Sequence, residues 1–274
     1  MSDRETQAAL RRWRDTGASE DEAAYLLARL RSGELAHERL LMAAYLGHPA
    51  AGLALGSELG RLEQLEAWLA AQGRAAQLDE LEGWIRDWHV AEATLALGPL
   101  LSWPFGGPIQ WGSDAEPEAD EEPPPPFPPL VRWAHGLAPW GPGVQVRAGW
   151  AAASACSPLL EGEGVAGRAS ELLDRVAAWL ASPSDPQRER ILAALPLEGF
   201  PEEGTRARSA ARAIAELAQF AREVEARYLA LTVGRTFSAA REALARDDSP
   251  EAGVEEVRAC VAAELVPWAL AGHE

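Results

Sequence analysis

Asp87, His89 and Glu92 fall in the stretch IRDWHVAEA, whose pattern predicts a helix, and His89 and Glu92 stand three residues apart. An i, i+3 pair shares one helix face, so this imidazole and this carboxylate could face a metal ion together. Helical metal proteins complete such a site with a second His-containing pair on another helix, or with a HExxH motif. The sequence offers neither, and the same three side chains read better as a solvated polar face. No metal or cofactor is therefore expected, and no catalytic residue. His48 directly precedes Pro49 at a turn, where capping or packing is the expected role. His37, His135 and His273 have no acid or base at a spacing that a sequence can establish. Ser102, Ser154 and Cys156 lack a nucleophile elbow or a Cys/His signature. All 25 basic residues are Arg, so no lysine nucleophile, Schiff base or phosphate-loop lysine is possible.

The chain also has no Asn. Two readings fit this bias: escape from lysine-directed modification, or a GC-rich coding sequence that favours Ala, Gly, Pro and Arg. The 42 acidic residues give a formal net charge of -17, which argues against a phosphate-backbone partner and against an anionic membrane surface. Length and composition, 274 residues with 47% hydrophobic, suffice for a real core. Cys156 and Cys260 stand far apart in Ala-rich surroundings and suggest small buried residues, not a disulfide framework. The stretch MSDRETQAALRRW is charged, and no run of about 18 apolar residues exists to span a bilayer, so the expectation is a cytoplasmic protein.

The elements that must position any site are helical. EDEAAYLLARLRSG has acids in its first turn, Arg29 and Arg31 in its last, and Gly33 as a stop after a start at Ser19. In ELAHERLLMAAYLGHPAAGLALG, Leu40, Leu41, Ala44 and Tyr45 share a face, Gly47 can close that helix, and Pro49 can open the next. RLEQLEAWLAAQG and the stretch with Leu78, Leu81, Ile85, Trp88 and Leu95 continue the helical period. Farther on, VRWAHGLAPW and VQVRAGWAAASACSPLL are short helices separated by GPG. Leu172, Leu173, Val176, Trp179 and Leu180 line one side of the next helix. Residues 205–248 are long enough for one extended helix, with Gly234 as the expected break, and Val254, Val257, Val261 and Leu265 form a final stripe. No alternating β-branched runs occur, so the fold class is all-α.

The stretch GSDAEPEADEEPPPPFPP, residues 112–129, can be neither helix nor strand, because its prolines lack backbone donors and its acids repel one another. It reads as a linker between residues 1–111 and 130–274, with a proline-rich docking ligand as the other reading. Many of the 11 tryptophans sit on apolar stripes and are expected in the core. Trp103, Phe105 and Trp111 differ: SWPFGGPIQWG is rich in Gly and Pro, so these rings either seal the core or form a partner-binding patch.

The segments DEAAYLLARLRSGELAHERLLMAAYLGHPAAGLAL and GRASELLDRVAAWLASPSDPQRERILAAL resemble helical-repeat proteins of myxobacterial type and the α-helical domain of immunity proteins in bacterial toxin systems. In those domains an Arg-Pro-Arg start precedes an Ala-rich helix ending in Ala-Trp. Ala178-Trp179 matches that ending, while Gly167-Arg168-Ala169 replaces the start. The resemblance implies a protein-binding role and carries over no catalytic residue. The expectation is two helical bundle or αα-repeat-like parts that bind another protein as an adaptor or immunity-like neutraliser. A helical enzyme or metal protein using the Asp87, His89 and Glu92 face is the alternative, as is a structural subunit of a larger bacterial assembly.

Overall fold

The computed structural model describes residues 3–57, 59–74, 129–195, 197, 199–222, 226–245 and 249–271, and among them every regular element is helical. Local sequence signals set most boundaries. Helix α1 (Asp3–Thr16) ends before Gly17. Helix α2 (Ser19–Ser32) carries Glu20, Asp21 and Glu22 in its first turn and Arg29 and Arg31 in its last, complementing the helix dipole, and Gly33 closes it at φ 80°. Helix α3 (His37–Tyr45) is buried continuously from Leu40 to Tyr45, so it is wrapped on all sides and is more than the one-faced helix its spacing suggested. Gly47, at φ 88°, makes the turn into α4 (Pro49–Leu55), whose first residue is the proline expected there. Helix α5 (Leu62–Ala71) buries Leu62, Leu65, Trp68 and Leu69.

After residue 128 the chain re-enters as α6 (Pro129–His135), a 3-10 turn (Ala138–Trp140), and α7 (Pro142–Cys156) with a further 3-10 turn (Ser157–Leu160). Helices α8 (Ala166–Ala181), α9 (Asp185–Ala193), α10 (Arg206–Ala218), α11 (Ala226–Leu244) and α12 (Pro250–Leu270) follow. Helix α7 is the hub, packing on α8, α10, α11 and α12. Its sequence explains how one helix accepts so many neighbours: Ala148, Gly149, Ala151, Ala152, Ala153 and Cys156 are buried and small, so surrounding helices approach closely from several directions. A Cβ on Gly149 would already stand 3.0 Å from Leu217 of α10. Helix α12 buries Gly253, Val257, Val261, Leu265 and Ala269 at a strict four-residue spacing and lies against α3, α7 and α11.

Residues 205–248 do not form one helix with a break at Gly234. The interruption comes at the 3-10 turn Gln219–Arg222, and Gly234 lies buried inside α11. Tertiary contacts account for this. Phe220 is buried and its ring meets Trp179 at 4.8 Å, while Arg188 donates to the Ala221 carbonyl at 3.0 Å. Burial of α11 outweighs the cost of about 1 kcal/mol of a glycine within a helix.

Helix ends lack intrahelical partners for their last carbonyls. Here arginines supply them from distant parts of the chain. Arg29 donates to Leu270 O at 2.5 Å, Arg206 to Ala243 O at 2.6 Å and Arg168 to Ala194 O at 3.4 Å, so the C-terminal ends of α12, α11 and α9 each meet a guanidinium. Such a group offers several fixed donors and a charge suited to the negative end of the helix dipole.

Helices on the two sides of residues 75–128 touch directly, and their buried side chains form one continuous apolar cluster. Pro129, the last residue of the expected linker, opens α6; residues 112–128 lie outside the described residues. The contact is aromatic and cationic. Tyr45 stacks on Trp133 with centroids 6.0 Å apart, Trp133 stacks on Phe237 at 6.0 Å, and Arg258 lies 5.1 Å over the Trp133 ring. Each aromatic pair adds about 1 kcal/mol beyond the area it buries. Trp268 is flanked by Arg39 at 4.9 Å and Arg147 at 5.4 Å, and Arg147 also pairs with Glu264 at 2.8 Å. Trp68 and Trp133 are core residues as the sequence suggested, and Trp140, Trp150, Trp179 and Trp268 pack half-buried against that core.

Candidate functional site

Small residues at the α3 to α4 turn and in the loop before α5 leave a groove against α12. Its volume is about 1270 Å³, and it is lined by Leu46, Gly47, His48, Pro49, Gly52 and Leu53, by Gly56, Ser57, Leu59, Gly60, Arg61 and Gln64, and by Glu255, Arg258, Ala259 and Ala262 of α12. Leu53 is 54% exposed, which marks the apolar side of the groove. Gly60 lies outside the left-handed region, and a Cβ built there would meet nothing within 4 Å, so this glycine faces open space. Beside it, Arg258 donates to the Gly60 carbonyl, approaches Glu255 at 3.8 Å and covers Trp133. One side chain thus joins the loop before α5, helix α6 and helix α12.

His48 occupies the position where titratable chemistry would be sought. It is the N-cap of α4, its Nδ1 accepting from the Ala51 backbone N–H at 3.3 Å, while Nε2 lies 3.5 Å from Glu22 Oε1. An Nδ1 that accepts carries no proton, so the neutral ring bears its proton on Nε2, facing the carboxylate. The lone pair a general base would use is then already taken by the backbone. This is the capping role that the position before Pro49 suggested.

Tyr45 forms the groove's inner wall. It is fully buried, and burial pushes its phenol far above the ordinary tyrosine range, opposed only in part by the Arg258 charge. Cys156 donates to Ala152 O at 3.3 Å, and burial pushes its thiol up to about 12, so the thiolate needed for nucleophilic attack is strongly disfavoured. Burial also raises the thiol of the half-buried Cys260. His37 stacks on Trp68 at 5.6 Å and shares a contact of 3.3 Å with Arg74, and His135 is buried on α6. No group of three metal-ligating side chains occurs among the described residues.

The residues singled out from sequence divide sharply. Trp103, Phe105 and Trp111 lie outside the described residues, as do Asp87, His89, Glu92 and His273. His48 is placed in the groove. Leu53, Gly60, Arg61 and Arg258 are groove residues that sequence reasoning did not single out, because they come from segments about two hundred positions apart and carry no shared local motif. No described helix is long and apolar enough to cross a membrane. No protein-family model, curated protein or solved structure matches the chain.

Proposed function

We propose that this protein is a non-catalytic helical module that binds another protein, as an adaptor or immunity-like neutraliser, and that a segment of the partner seats in the groove between the α3 to α4 turn and α12. The groove itself carries this reading. At about 1270 Å³ it exceeds the span typical of small-molecule pockets, roughly 300–1,000 Å³, and its lining mixes glycine backbone, one exposed leucine and the polar side chains of Arg61, Gln64 and Glu255. An open groove that offers both apolar and polar groups suits a protein segment, which presents both along its length. The engaged nitrogens of His48 favour binding over hydrolytic chemistry at the same place. The immunity-like form of the role rests on the resemblance of residues 21–55 and 167–195 described above. Trp103, Phe105 and Trp111, outside the described residues, remain proposed contact anchors in addition to the groove's own residues.

A photo-crosslinking amino acid at Leu53 tests the proposal in the native cell, with the same group at Glu189, on the exposed face of α9, as the control. One protein should crosslink from position 53 and not from 189, and Gly60→Trp, which fills the open space beside Gly60, should abolish that crosslink without unfolding the chain. Equal crosslinking from both positions, or an unchanged product in the Gly60→Trp variant, would overturn the assignment.

A further inference from the structure

We draw no further inference here: the strongest candidate, the groove between the α3 to α4 turn, the loop before α5 and α12, belongs to the site already described, and nothing in the structure shows what covers it beyond a protein segment of unspecified chemistry.

Discussion

The hydroxyl of Tyr45 donates to the carbonyl oxygen of Trp133 at 2.6 Å, while the two rings stack nearly parallel, 13° apart. The phenol is thus held protonated by burial and by its acceptor together. Its raised pKa makes stability fully present below the ordinary tyrosine value of about 10 and progressively lost above it, since only the unfolded chain ionises there. Cys156 acts in the same direction, its contribution fading from the ordinary thiol value of about 8.5 toward about 12. In an alkaline titration followed by phenolate absorbance, one of the three tyrosines should ionise only as the helical signal collapses. Tyr45→Phe should remove that delayed phase and lower stability at neutral pH by about 1 kcal/mol, the usual net worth of one hydrogen bond, because the Gly136 N–H still donates to the Trp133 carbonyl.

Glycines at helix crossings should differ sharply in tolerance. A Cβ on Gly253 would lie 2.4 Å from the Arg241 carbonyl oxygen, and one on Gly136 would lie 2.0 Å from the Tyr45 hydroxyl. Neither neighbour can yield cheaply, the first being backbone and the second a fully buried ring. Gly253→Ala and Gly136→Ala should each cost about 1–3 kcal/mol in denaturant unfolding. Gly60→Ala should stay within about 0.5 kcal/mol of the parent.

His48 separates capping from chemistry by substitution. His48→Ala should destabilise the chain by about 1 kcal/mol through loss of the bond from the Ala51 N–H, and His48→Asn should restore most of it, because an asparagine oxygen caps the same position well. Thermal unfolding of the three proteins measures this. If Ala and Asn were equally damaging, the Glu22 contact would be the larger part of the role.

Arg29, whose side chain is 12% exposed, should be sensitive despite carrying no chemistry. Arg29→Met keeps the aliphatic stem but removes the donor to Leu270 O, and about 1.5 kcal/mol should be lost. Hydrogen exchange should accelerate first in the last turn of α12.

Helix starts and stops were legible where short-range chemistry governs them. The acids, arginines and Gly33 of α2, and the Gly47, His48, Pro49 turn, act within a few residues and so stand plainly in the sequence. The interruption near residue 220 does not, because Phe220 meets Trp179 and Arg188 meets Ala221 O across tertiary contacts that no window on the sequence contains. The groove was illegible for the same reason: Gly60 and Arg258 meet 198 positions apart. Gly47, His48 and Pro49 bridge the two levels, since their turn is local and their place in the groove is not.

The Arg29 bond to Leu270 O spans 241 positions, and α3 rests on α12. A ribosome delivers α2 and α3 long before α12, so in the emerging chain the guanidinium and the apolar surface of α3 wait for partners not yet made. Docking of these early helices must then wait for α12, and synthesis stalled before residue 250 would leave the side of α3 that rests on α12 as surface that chaperones bind.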